Sequence, residues 1–138
     1  MLIGEYNHTL DAKGRVNFPV RFREEMGDRF IVTRGLDTCL AAYSMEEWAR
    51  IEQRFRELPL KARMIQRAYF SGAAEVEVDG TGRILLPQNL RTYAGLKKEV
   101  TVLGLSTYAE IWDTEVWMQA REAVTPEMMV ETLGELGF

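Results

Sequence analysis

Cations placed at tight turns carry the clearest chemical signal in this chain. Lys13 and Arg15 flank Gly14 in Asp11-Ala12-Lys13-Gly14-Arg15, and Arg83 follows Gly82 in Asp79-Gly80-Thr81-Gly82-Arg83. A guanidinium on a stiff strand beside a turn loses little freedom on binding. It can address guanine O6 and N7 with two parallel hydrogen bonds, and a two-stranded β-ribbon fits the major groove. Lys13 suits a phosphate or a second guanine, and Arg21 and Arg23 could add phosphate contacts. The bland alternative is that Arg15 merely pairs with Asp11 across the turn. An exposed pair of that kind is worth only about 0–1 kcal/mol, so stability alone is a weak reason to place Arg there.

Other chemistry is thinly provided for. His8 and Cys39 are the only residues of their types, which removes a disulfide framework, a Cys-based metal site and most catalytic triads. No nucleophile-elbow, phosphate-loop, dinucleotide or zinc pattern occurs. We therefore expect no enzyme, no cofactor and no metal, and no small-molecule ligand is evident. His8 lies on the apolar side of a strand and reads as a partly buried histidine rather than a general base. The first residues lack a basic region followed by a long apolar run, and no stretch is apolar for long enough to cross a bilayer. The expectation is a cytoplasmic protein with no membrane partner.

The net charge of −4 argues mildly against a polyanionic partner, but its distribution argues the other way. Residues 1–69 hold 12 Lys+Arg against 10 Asp+Glu, whereas residues 70–138 hold 5 against 11. The cations of the first half gather at Lys13, Arg15, Arg21, Arg23, Arg29 and Arg34. Such asymmetry hints at a polyanion or an acidic partner.

The elements that must position these residues are written twice. Asp11, Gly14, Arg15, Pro19 and Arg23 recur at the same spacing as Asp79, Gly82, Arg83, Pro87 and Arg91, 68 residues later. Apolar positions match at Val16/Ile84, Phe18/Leu86 and Phe22/Leu90. A repeat of this size has to be settled before the fold is read. Asp at the first turn position and Gly at the fourth supply turn chemistry, which makes Asp11, Gly14, Asp79 and Gly82 structural turn residues. Alternation over 2–10 predicts a strand, and 15–18 should return against it as a hairpin. Pro19 then serves as the first residue of a short helix to Met26. Strands at 30–33 and 39–43 follow. Ser44 and Glu47 have capping-box spacing, opening a helix to about Leu58 with Met45, Trp48, Ile51 and Phe55 as its stripe. Pro59 opens another, with Leu60, Met64 and Ala68 on its face.

The second half repeats this order. Its last helix is capped at Thr125-Pro126 and faces Met129, Leu133 and Leu136. The unit is ββαββαα, used twice. The stripe of Met45, Trp48, Trp112, Trp117, Met128 and Met129 reads first as core, with some of it available for a subunit contact. A half of about 70 residues is marginal alone, so repeats 1–69 and 70–138 should intertwine as one globular unit.

The Leu10-to-Arg15 stretch with Pro19 and Phe22-Arg23, and its copy at Asp79-to-Arg83 with Pro87 and Leu90-Arg91, resemble the two signatures of the MraZ family. The resemblance covers essentially the whole chain. It implies an α+β fold, a duplicated swapped-hairpin AbrB-like β-barrel with peripheral helices and a pseudo-two-fold internal repeat. It implies a transcriptional regulator of the division and cell-wall gene cluster, cytoplasmic and nucleoid-associated. Such a protein binds double-stranded DNA at G-rich direct repeats in its own promoter, as a ring-like homo-oligomer. The DNA-contacting loop maps onto Asp11 to Arg15, with Lys13 and Arg15 as contacts. The runner-up is an oligomeric interaction module whose basic N-terminal half meets an acidic partner protein. The second loop carries Thr81 where the first has Lys13, and Glu75 and Glu77 flank it. On charge alone that hairpin would mainly maintain the fold or the ring, leaving Arg83 the weakest DNA-binding candidate.

Overall fold

A computed structural model describes residues 1–138. The first repeat forms β1 (Leu2–Thr9), β2 (Arg15–Asn17), α1 (Val20–Met26), β3 (Arg29–Arg34), β4 (Leu40–Ser44) and α2 (Met45–Arg56). A 3₁₀ turn (Leu60–Ala62) then leads into α3 (Arg63–Ser71). The second forms β5 (Ala74–Glu77), β6 (Arg83–Leu85), α4 (Gln88–Tyr93), β7 (Glu99–Ser106), β8 (Ala109–Asp113), α5 (Thr114–Glu122) and α6 (Pro126–Glu135). The doubled ββαββαα order is present.

The strand partners are where the duplication becomes a fold. The tip residues close as the turn chemistry requires: Gly14 N donates to Asp11 O at 3.0 Å and Asp11 N to Arg15 O at 2.9 Å. Beyond the tip, however, β1 and β2 do not zip into the hairpin read from the sequence. β1 pairs antiparallel with β7, β5 pairs with β3, and β2 pairs with β6. The reason is burial. An isolated two-stranded hairpin is marginal in water, whereas exchange places the first strand of each repeat on the long central sheet of the other. The result is a six-stranded antiparallel sheet in the order β1-β7-β8-β4-β3-β5, and a separate two-stranded ribbon of β2 and β6. The swapped α+β architecture is present, and its hydrogen bonding leaves the sheet and ribbon as separate ladders rather than one closed ring of strands.

A pseudo-two-fold axis runs through the ribbon, where Val16 lies opposite Ile84. The core repeats the symmetry. Val16, Phe18 and Phe22 are buried beside their counterparts Ile84, Leu86 and Leu90. The symmetry breaks at Val76 of β5, which is buried where β1 carries half-buried His8. Local signals behave as their chemistry demands. Ser44 Oγ accepts from Glu47 N at 3.1 Å, and Thr125 Oγ1 accepts from Met128 N at 3.1 Å, each satisfying an orphan donor of a helix start. Pro19 stands one place earlier than expected, as the N-cap of α1.

The apolar stripe divides. Trp48 and Trp112 are buried, and Trp48 packs among Tyr43, Tyr69 and Phe70. Met45, Met128 and Met129 are exposed, as are Leu60 and Met64 of the α3 face and Leu133 and Leu136 of the α6 face. Reading Met45, Met128 and Met129 first as core was therefore wrong; they belong to the part of the stripe left available for a subunit contact. Helical periodicity marks an apolar face but does not say what covers it.

Gly104 tests the exchanged pairing. A Cβ there would lie 2.5 Å from Ile3 N and 2.6 Å from Leu2 C, backbone atoms of β1. Gly104→Ala should cost roughly 1–3 kcal/mol by overpacking. Gly134→Ala in α6, where a Cβ meets nothing, should be neutral or stabilising by up to about 1 kcal/mol. Chemical denaturation of both variants checks this; equal stability would contradict the β1–β7 register.

Candidate nucleic-acid interface

The ribbon brings the two Asp-x-x-Gly-Arg loops onto one surface. Residues directly opposite one another in an antiparallel pair share a face. Arg15 opposes Leu85, and Asn17 opposes Arg83, so Arg15, Asn17, Arg83 and Leu85 form the outer face. Val16 and Ile84, each 1% exposed, form the inner one. Backbone bonds extend the pairing past the strands, from Phe18 N to Gly82 O at 3.0 Å and from Leu86 N to Gly14 O at 2.8 Å. Lys13 and Thr81 stand at the two tips.

Each turn Asp organises its own loop. Asp11 Oδ1 accepts from Lys13 N at 2.9 Å and Arg15 N at 2.8 Å, while Oδ2 accepts from Arg15 Nε at 2.8 Å. Asp79 accepts from Thr81 N and Arg83 N at 2.9 Å each, from Thr81 Oγ1 at 2.9 Å and from Arg83 Nε at 3.3 Å. The pairing of Arg15 with Asp11 is thus real, but it uses only Nε and leaves a third of the side chain exposed. Its effect is to hold the guanidinium in place. Arg83 also reaches across the ribbon, with Nη1 3.8 Å from Asp11 Oδ2. That contact joins the two loops.

The exchange also re-sorts the remaining cations. A Cβ on Gly14 would lie 2.7 Å from Arg91 Cζ, and one on Gly82 would lie 3.1 Å from Arg23 Nη1. Each loop is therefore backed by the arginine of the other repeat. Both glycines have positive φ, +89° and +86°, so any side chain there would be strained as well as crowded. Arg21 joins Arg23 beside the Thr81–Gly82 tip. In sequence, Arg21 and Arg23 belong to the first loop; in space they flank the second. Loop one gathers Lys13, Arg15 and Arg91, and loop two gathers Arg83, Arg21 and Arg23. The second loop's shortage of charge in sequence is made up by strand exchange. Arg91 is the residue that sequence reasoning left out of the interface, although its spacing from Asp79 matches that of Arg23 from Asp11.

Groups with nucleophilic potential lie elsewhere and are quiet. Burial, then the neighbouring Glu110 carboxylate, pushes the Cys39 thiol far up, so it stays protonated at neutral pH. Burial lowers His8, which keeps it neutral. No helix is long and apolar enough to cross a membrane.

Comparison with known proteins decides the family. The family described as "MraZ protein, putative antitoxin-like" matches residues 1–68 and again residues 69–130. Proteins named "Transcriptional regulator MraZ" from Caldicellulosiruptor saccharolyticus and Acetivibrio thermocellus are each 51% identical over 143 residues, covering all of both chains. One of the same name from Alkaliphilus metalliredigens is 55% identical over 122 residues, covering 86% of this chain and 85% of its own. The chain belongs to the MraZ family. These relatives are named as regulators and not as enzymes, in keeping with a surface of oriented cations rather than a cleft of catalytic groups.

The loop geometry has an acid signature. Backbone N–H donation from Arg15, reinforced by its guanidinium and by Lys13 N–H, lowers Asp11; donation from Arg83 and Thr81 holds Asp79 at about 2, against an ordinary value of 3.8. A carboxylate held low in the folded state contributes stability above its unfolded value and loses it as pH falls through the folded one. The contribution of Asp79 should therefore be complete above about pH 4 and vanish toward pH 2. In Asp79→Asn the fall in melting temperature across that window should be smaller than in the unaltered protein. Parallel thermal melts with the same pH dependence would rule out the loop geometry.

Proposed function

We propose that this protein is a sequence-specific DNA-binding transcriptional regulator acting at its own promoter. The observation that carries the reading is the placing of Arg15 and Arg83 on one exposed face of a two-stranded ribbon, with Lys13 at a tip. Such a ribbon has the width to enter a major groove, and arginines pinned by turn carboxylates can present free Nη donors to guanine. Arg21, Arg23 and Arg91 flank this face and suit backbone phosphates. Family membership extends the proposal to G-rich direct repeats as the target, to the division and cell-wall gene cluster as the regulated genes, and to work in the cytoplasm at the nucleoid.

A ring-like homo-oligomer belongs to the same proposal. One ribbon with a few cations gives a weak, salt-sensitive contact. Several identical ribbons on one assembly raise effective affinity by a factor of roughly 10² or more where geometry lets them bind together. The exposed apolar residues of α6, with Met129 at 52% and Leu133 at 36% exposure, are the surface we assign to a second copy of this chain. Because they are not protomer core, a Met129→Glu/Leu133→Glu variant should keep its circular dichroism while its mass in light scattering falls to a smaller species. Unchanged mass would remove α6 from the interface.

The competing reading, in which the basic face meets an acidic protein, differs in what it predicts for DNA. In anisotropy titrations at fixed salt, a duplex with G-rich repeats should bind far more tightly than its scrambled counterpart. Because the ribbon is shared, Arg15→Ala and Arg83→Ala should each weaken that binding by roughly tenfold or more, at about 1–3 kcal/mol for a bidentate base contact. Equal binding to both duplexes would refute sequence-specific recognition and favour the acidic-partner reading. A loss confined to Arg15→Ala would return the second loop to a purely structural role.

A further inference from the structure

Beside the Thr81–Gly82 tip the surface opens into a groove of about 430 Å³, whose lining includes Tyr6, His8, Asn17, Arg21, Arg23 and Thr81. The pseudo-two-fold axis gives it an internal control. Applying the repeat offset, the opposite flank carries Ala74, Val76, Leu85, Asn89, Arg91 and Lys13 at the positions of Tyr6, His8, Asn17, Arg21, Arg23 and Thr81. One flank sets two arginines among polar Tyr6, His8 and Asn17; the other sets Arg91 and Lys13 among apolar residues. No carboxylate lines the groove.

The paired arginines differ in the same sense. Arg91 Nε donates to Leu86 O at 2.9 Å, a structural tie within its own repeat. Arg23 Nε, the equivalent atom, has no partner, and neither does His8 Nε2 on the same lining. The nearest carboxylate to Arg23 is that of Asp28, 3.6 Å from Nη2 and 72% exposed, too open to neutralise it firmly. Arg21 is exposed and makes no ion pair. Two guanidinium groups with unused donors, facing a groove free of carboxylates, are a site for an oxyanion.

We propose that this groove binds a phosphate group, supplied by one phosphodiester of bound DNA or by free phosphate. The DNA form rests on the reading that the ribbon docks on DNA, and deepens it. Arg91 has its Nε committed to Leu86 O, so a phosphate is held more firmly on the Arg21–Arg23 flank. That makes the two ends of a nearly symmetric ribbon unequal and favours one docking orientation.

The test scans single neutral methylphosphonates along the G-rich duplex against the unaltered protein and an Arg21→Gln/Arg23→Gln variant. Arg21→Gln alone, at an exposed residue, repeats the scan should the double variant unfold, and Asn89→Ala on the opposite flank is the control. A parallel arm follows ³¹P line broadening of inorganic phosphate without DNA. We expect one methylphosphonate position to weaken the unaltered protein and Asn89→Ala by roughly tenfold or more, and to leave the double variant unaffected. Phosphate broadening abolished by the double substitution, without coupling in the scan, would identify free phosphate as the occupant. Neither effect, in a protein that still binds the duplex, would overturn the site. Failure of the unaltered protein to bind the duplex would instead count against the DNA reading, leaving the phosphate arm to judge the groove.

Discussion

Everything distinctive about this surface depends on a ladder of only three residues from each repeat. β2 and β6 are too short to stand as an independent ribbon. They are held because Val16 and Ile84 turn inward and are almost wholly buried, at 1% exposure each, against Phe18, Phe22, Leu86 and Leu90 of the shared core. Full burial of a side chain of this size is worth about 1.5–3 kcal/mol, which is comparable to what the few ladder bonds contribute. Remove that burial and the two loops have no reason to lie side by side. The exchanged pairs β1–β7 and β3–β5 fix the same relation from outside, by committing each repeat's first strand to the other's sheet.

The electrostatic consequence is that neither loop is complete within its own repeat. Arg91 lies against Gly14 and Arg23 against Gly82, so a guanidinium from one half supports the turn of the other. The overall charge of −4 then says little about the interface. Cations that run together along the first half are shared out in space between the tips, while the turn carboxylates are spent on backbone N–H groups and on orienting Arg15 and Arg83. Exposed pairs of this kind add little stability. Their value lies in fixing where the remaining donors point.

Much of this was legible in the residues. The doubled Asp-x-x-Gly-Arg frame, the turns at Asp11 and Asp79, the caps at Ser44 and Thr125 and the inward positions of Val16 and Ile84 follow from local chemistry, which acts over a few residues. The partners of the strands did not follow. Alternation in β1 says which side chains face inward, but not that the strand beside it comes from residues about a hundred positions away. The hairpin expectation failed there, and the nearness of Arg21 and Arg23 to the first loop in sequence did not reveal that they flank the second in space. One signal did point to the exchange: Arg23 and Arg91 recur at the same spacing after their turns, in copies whose other charges diverge. For Met128 and Met129 the periodicity was correct and the first reading as core was not, because an apolar helix face looks the same whether it meets its own sheet or another molecule.

The central claim is that both loops act as one composite surface. Hydrogen exchange of backbone amides, followed by mass spectrometry with and without the G-rich duplex, tests it without altering a residue. The account predicts that DNA slows exchange in segments 11–17 and 79–85 together, to a similar degree. Protection confined to 11–17, with 79–85 unchanged on saturation, would contradict it.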